Sequence, residues 1–330
     1  MKKETVKRIF SLSMAVVLTL AFGCAKSGAE PEQTAQTAQI ALDETELADN
    51  TDYSGIYNVD ETEDTSESGS YACSEPDENV VLVQNAGTLA MEAADINKLG
   101  DASGNYFGGQ NAAVAVIAEG SLTLKSSNIT TSALGGHGLY AGGDGSVLVA
   151  ENCYVATAGA SSAGLVAENG AALRFTGGTL STEGSDSPCV LLGGGAALTL
   201  ESATLQTASS PLITVLSGEC TLDASSQTLE GECSIAEEAF LTLQLRNSSG
   251  FTGTPGDALP ARMSFSLDAS STWTLTGDAS LCVFINGDAA HQNIVSNGFS
   301  IYYDSNAPEN EALGGQSFAL PGGGFLTPII

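Results

Sequence analysis

The strongest constraint on this chain is a short segment that returns at a fixed period. Gly120-Ser-Leu-Thr-Leu124 comes back as Gly145-Ser-Val-Leu-Val149, Gly170-Ala-Ala-Leu-Arg-Phe175 and Gly195-Ala-Ala-Leu-Thr-Leu200, and more loosely as Gly218-Glu-Cys-Thr-Leu222. The glycines are 25, 25, 25 and 23 positions apart, and an earlier member stands at Gly87-Thr-Leu-Ala-Met91. A second apolar segment keeps step in Ile129-Thr-Thr131, Val155-Ala-Thr157, Leu180-Ser-Thr182 and Leu205-Gln-Thr207. A third precedes each glycine, in Val114-Ala-Val116, Gly138-Leu-Tyr140, Gly164-Leu-Val166, Cys189-Val-Leu191 and Leu212-Ile-Thr214.

A period of 20–50 residues means a solenoid, a propeller or an array. The segments are short, alternate apolar with polar residues and are broken by Gly, Asn, Ser and Asp, and helical periodicity is missing. A propeller blade needs four strands in a longer unit, and the Asn/Leu signature of leucine-rich repeats does not occur. Three strands in ~25 residues fit one coil of a right-handed parallel β-helix, in which only stacking makes the core continuous. Inward ladders are expected along Leu122, Val147, Leu173, Leu198, Cys220 and along Leu124, Val149, Phe175, Leu200, Leu222, with the glycines in turns that need positive φ or close backbone approach. Later segments such as Phe240-Leu-Thr-Leu-Gln-Leu245 and Ser271-Thr-Trp-Thr-Leu-Thr-Gly277 still alternate, so residues 53–305 read as one all-β solenoid of about ten coils, ~48 Å along its axis. Residues 306–330, with Gly322-Gly-Gly324 and Pro328, read as a loose tail or a cap.

The N-terminus reads as a targeting segment. Lys2, Lys3, Lys7 and Arg8 precede a mostly apolar run from Ile9 to Phe22, too short for a comfortable membrane span. Gly23-Cys24 follows the run and resembles the lipobox of bacterial lipoproteins, with departures at Ala21 and Phe22. That resemblance implies a signal peptide over 1–23, a lipid on Cys24 and display on the outer face of a cell membrane. Residues 24–52, rich in Asp and Glu, read as an acidic flexible tether, since like charges repel and extend a chain.

Charge narrows the partners. The net charge is −29, and the first 23 residues carry four bases and one acid, so the chain without them stands near −32. Nucleic-acid binding needs clustered Lys and Arg, whereas only Lys26, Lys98, Lys125, Arg174, Arg246 and Arg262 follow Cys24, and they are scattered. Besides Cys24 there are six cysteines, allowing up to three disulfides. Their wide spacing within apolar patterns suits buried free thiols at least as well.

Residues 53–305 resemble bacterial surface proteins with parallel β-helix repeats. Tyr106-Phe-Gly-Gly-Gln-Asn-Ala-Ala-Val114 with the repeats after it carries the likeness, and Ser271-Thr-Trp-Thr-Leu-Thr-Gly277 through Asn293-Ile-Val-Ser-Asn-Gly298 is similar to passenger repeats of autotransporter adhesins. The resemblance implies surface display and, by analogy, adhesion or glycan binding. Pectin-lyase-like enzymes share this fold, and Gly136-His137-Gly138 matches a short polygalacturonase element. Glycoside hydrolysis needs two positioned carboxylates; no paired Asp motif precedes His137 and no Arg-x-Lys follows. His137 therefore reads as a turn residue, Arg174 as a solvated face residue, and the chain as a non-enzymatic protein binding an extracellular glycan or protein, with a carbohydrate-active β-helix enzyme and a purely structural surface component as the alternatives. Tyr106, Phe107, Tyr140, Tyr154 and Trp273 are candidate ligand-binding rings, with Tyr140, Tyr106 and Trp273 foremost. Asp101, Asp144, Glu151, Glu168, Glu183 and Asp186 fall near successive turns, and Asp144, Glu168 and Asp186 are the candidate ligands for Ca²⁺, a hard cation that prefers oxygen donors.

Overall fold

A computed structural model describes residues 52–104, 106–255 and 262–329. The expected signal peptide, Cys24 and all but the last residue of the tether lie outside the described residues. The chain from Gly55 onward is an all-β parallel solenoid of about 11 turns with about 25 residues per coil. In the N-terminal coils the chain visits three sheets in turn. The first has eight strands, from Gly55–Asp60 through Leu139–Gly142 to Cys233–Ile235. The second has ten, from Glu63–Glu67 to Val283–Asn286, and the third six, from Ser70–Cys73 to Thr204–Thr207.

The pairing register corrects the expected ladders. The inward columns of the second sheet are Leu89, Leu122, Leu148, Leu173, Leu198, Leu222 and Met91, Leu124, Ala150, Phe175, Leu200, Ala224, all buried. Val147 points out and is 37% exposed, Val149 lies between Thr123 and Arg174 on the outer side, and Cys220 pairs with Leu241 instead. The cause is a one-residue shift hidden in the regular glycine spacing. Ser121 pairs with Val147, so Gly120 stands opposite Ser146, not Gly145. Gly145, Gly170 and Gly195 have φ of 78°, 82° and 83°, and the equivalent residue one coil earlier is Glu119, itself at 65°. Gly120 is needed for a different reason: a Cβ there would stand 2.6 Å from the Val83 carbonyl oxygen. A one-residue slip sends every side chain to the opposite face, so the buried leucines set the register. Each inward Leu contributes about 1.5–3 kcal/mol of burial free energy.

The second coil is longer than its neighbours, because residues 99–104 and 106–113 belong to an outward insertion with a 3-10 turn at Gly109–Asn111. Two buried asparagines pin it. Asn79 Nδ2 donates to the carbonyls of Gly109 and Ala112, and Asn111 Nδ2 donates to the carbonyl of Gly100.

Past Thr207 the third sheet gives way to Thr228–Glu230, Gly250–Thr252, Thr272–Thr274 and Ile294–Val295. The core here is aromatic, with Trp273 4.4 Å from Phe265 and stacked on Phe251 at 6.2 Å between ring centroids. The C-terminal residues are a cap and not a loose tail. Phe325–Ile329 pairs in parallel with Ile301–Asp304, and Phe318–Ala319 folds back on it as the one antiparallel pairing among the described residues. Asn310, in the 3-10 helix Pro308–Leu313, donates to the carbonyls of Cys282 and Asp304. The six cysteines among the described residues are all free, five of them buried.

Candidate ligand-binding face

On a coil of alternating strands the outward residues of each sheet stack into columns one strand spacing apart. The outer side of the third sheet carries two such columns. One runs Asp95, Asn128, Tyr154, Thr179, Thr204, and the other Asn97, Thr130, Ala156, Ser181, Gln206. Strand Tyr154–Thr157 turns Val155 and Thr157 into the core, which puts Tyr154 on the surface at 47% exposure. Around it stand amides and hydroxyls, some already ordered: Asn128 Nδ2 donates to Asp95 at 2.7 Å and Thr130 Oγ1 to Asn97 Oδ1 at 3.2 Å. Ala156 has almost no side chain, and the face dips there into a shallow depression of about 290 Å³, which shares Ser181 and Glu183 with a second of about 460 Å³. The smaller begins at Asn97 and the larger ends at Glu230, so the groove crosses six coils along the stacking direction.

The other candidate rings are placed differently. Trp273 is fully buried in the aromatic core, its indole N–H donating to the Gly253 carbonyl, so it is not a surface ring. Tyr140 does lie on the outer side of the first sheet, as the alternation implied, but it is 4% exposed and belongs to a second apolar cluster with Leu82, Ala115, Val166 and Leu191. Its hydroxyl donates to Glu168 Oε2 at 3.1 Å. Burial raises the Glu168 carboxyl above the usual carboxylate range and, with the nearby Glu168 charge, raises the Tyr140 hydroxyl too. Tyr106 is 38% exposed in the insertion, away from Tyr154 in sequence and on a different strand connection. Phe107 packs against the same cluster as Tyr140.

The candidate Ca²⁺ ligands are not brought together. Asp144 stands beside Gly170 in the corner between first and second sheets, Glu168 is engaged by Tyr140, and Asp186 lies in the corner between third and first sheets at φ 52°. Among the described residues no three His, Cys, Asp or Glu side chains converge as metal ligands.

His137 is buried in the corner before Leu139–Gly142. Its Nδ1 accepts from the Ala163 N–H at 3.0 Å, and burial lowers its pKa to about 4, so it is a neutral structural group at ordinary pH. Arg174 points outward from the second sheet and pairs with Glu201 at 2.7 Å. Lys125 pairs with Glu151 and Arg246 with Asp223 on the same sheet, while Lys98 is buried. Lys125, Arg174 and Arg246 are thus each matched by a carboxylate within the protein. No protein-family model, curated protein or solved structure matches this chain.

Proposed function

We propose that this protein is a non-enzymatic cell-surface β-solenoid that binds an extended, neutral glycan on the outer side of its third sheet, held to the membrane through a lipid on Cys24. The observation that carries the reading is Tyr154, a 47% exposed ring two residues along its strand from Ala156, which lines a depression with Asn97, Thr130 and Ser181. An aromatic face offers apolar contact to a sugar ring, while amides and hydroxyls meet its hydroxyl groups. The groove follows the stacking direction, so a linear polymer can repeat its contacts at successive coils. The net charge of −29 disfavours an acidic polymer, because the exposed bases of the second sheet already face carboxylates. The lipid anchor and surface location rest on the basic head, apolar run and Gly23-Cys24.

Titration of the purified chain against a panel of neutral and acidic polysaccharides tests this. Binding is expected for a neutral member, and Tyr154→Ala is expected to weaken it by about tenfold, the loss of one aromatic contact of roughly 1.4 kcal/mol. Equal affinity of the variant, or preference for acidic polymers, overturns the assignment. A carbohydrate-active enzyme is the second reading, favoured by Glu183 and Glu230 lining the same depression. Appearance of new reducing ends in the same mixtures would support it.

A further inference from the structure

The inward end of the third sheet is a threonine column, Thr131, Thr157, Thr182 and Thr207, except in the first two coils, where it holds Cys73 and Lys98. A lysine is an unusual occupant of an interior column, since burying its charge is costly without partners. Lys98 is fully buried, its Nζ donating to the Glu75 carbonyl and lying 3.9 Å from Cys73 Sγ. Cys73 Sγ is also 3.4 Å from Glu78 Oε2, and Glu78 is partly exposed at the end of the coil. A thiol, a carboxylate and an amine thus meet where the solenoid begins.

We propose that Cys73, Glu78 and Lys98 form an oxidative cross-linking site, in which a hydroperoxide turns the Cys73 thiol into a sulfenic acid and the Lys98 amine condenses with it to a sulfenamide joining the first two coils. In the first step the sulfur attacks one oxygen of hydrogen peroxide and the O–O bond breaks. Glu78 takes the thiol proton and passes it to the departing hydroxide, which leaves as water. The sulfur loses two electrons and the peroxide gains them. In the second step the Nζ lone pair attacks the sulfur, the N–S bond forms and the S–O bond breaks. The leaving hydroxide takes an amine proton as a second water. Sulfenic acids are known to condense with nitrogen in this way.

Two features favour this site over the other thiols. Burial lowers the Lys98 ammonium below its ordinary range, raising the share of nucleophilic free amine, although the nearby carboxylates and Cys73 oppose that shift. Cys73 shares a backbone-carbonyl contact and a thiol raised by burial with Cys153, Cys189 and Cys220; what sets it apart is the carboxylate of Glu78 at 3.4 Å and the amine of Lys98 at 3.9 Å. The bridge also has a structural rationale. Among the described residues the first coil has a stacked neighbour on one side only, and terminal repeats are the first to open.

Peptide mapping of the folded chain after exposure to hydrogen peroxide tests the proposal. No Lys or Arg lies between Cys73 and Lys98, so the expected tryptic product is the single internally bridged peptide 27–125, about 2 Da lighter than that sequence unbridged. Trypsin no longer cleaves after Lys98, and a thiol reductant restores cleavage. In Lys98→Met the same treatment leaves a Cys73 sulfenic acid that a dimedone-type reagent traps, and Glu78→Gln slows bridge formation. Wild-type Cys73 that accumulates as trappable sulfenic or sulfinic acid with Lys98 still cleavable overturns the proposal, as does oxidation of the other thiols ahead of Cys73. The wild-type map decides this even if a variant fails to fold.

Discussion

His137 is held neutral by its surroundings. The Ala163 N–H donates to Nδ1, so the ring proton sits on Nε2, on the side facing the Phe107 carbonyl. Folding lowers the pKa from 6.5 to about 4, so below pH 6.5 the unfolded chain binds a proton that the folded chain refuses. The stability this residue supports is complete above about pH 6.5 and is lost as pH falls toward about 4, a difference of about 3 kcal/mol. His137→Gln keeps a hydrogen-bond acceptor for Ala163 but does not titrate. Urea unfolding at a series of pH values is expected to show the wild type losing stability relative to this variant across that window. Parallel profiles would contradict the assignment. The carboxylates relieve their mutual repulsion as they protonate, so the contrast between variants is the informative quantity.

At the scale of the strand and corner, the Ser-rich composition finds its physical reason. Ser162 Oγ accepts from the Gly136 N–H at 3.0 Å and donates to the Ala133 carbonyl, one coil away. Ser187 does the same one coil on, accepting from the Ser162 N–H at 2.9 Å and donating to the Gly159 carbonyl, while its own N–H reaches Ser210. These hydroxyls replace backbone partners where the chain turns a corner and leaves the sheet ladder. Ser187→Ala strands an N–H and a carbonyl in the interior and is expected to cost about 1–3 kcal/mol. Ser181→Ala, on the outer side, should stay within ~0.5 kcal/mol. Chemical denaturation of the two variants separates them, and equal effects would remove the corner ladder from the account. The same scale shows what the sequence could reveal. Period, strand count and the outward side of Tyr154 follow from alternation. The register did not, because Gly120 and Gly145 look equivalent yet serve neighbouring positions, one relieving a close approach and the other adopting positive φ. The burial of Trp273 is not legible, because alternation identifies two faces but not which one is covered. The insertion at 99–113 carries no periodic signal, so the cluster around Tyr140 could not be read from spacing.

At the scale of the whole molecule, a solenoid must finish both ends, because a terminal coil exposes unpaired strand edges. The C-terminal end is closed by the antiparallel Phe318–Ala319 and the Asn310 contacts. The first coil is closed by chemistry. Its inward positions hold Tyr57, Asp64, Ser66 and Tyr71 where the second coil holds Val81, Leu89, Met91 and Ile96, with Tyr57 donating to Asp64 at 2.7 Å and Tyr71 bonded to Ser66 at 2.8 Å. The two rings meet edge to face at 5.2 Å across the base of the core. Strand Glu63–Glu67 ends the second sheet, and Asp60, Glu61, Glu63, Asp64 and Glu67 make this edge acidic. A second copy brought edge to edge would have to bury an inward carboxylate and oppose like charges, both unfavourable. Replacing the inward pair, Asp64→Leu with Ser66→Val, extends the apolar columns to the edge and removes one of those charges. The double variant is expected to gain mean molar mass with concentration relative to the wild type, measured by light scattering. Added salt should strengthen the effect, because it screens the remaining acids over roughly 8–10 Å at physiological ionic strength. If the two chains scatter alike at every concentration, the polar first coil is not what keeps this end from pairing.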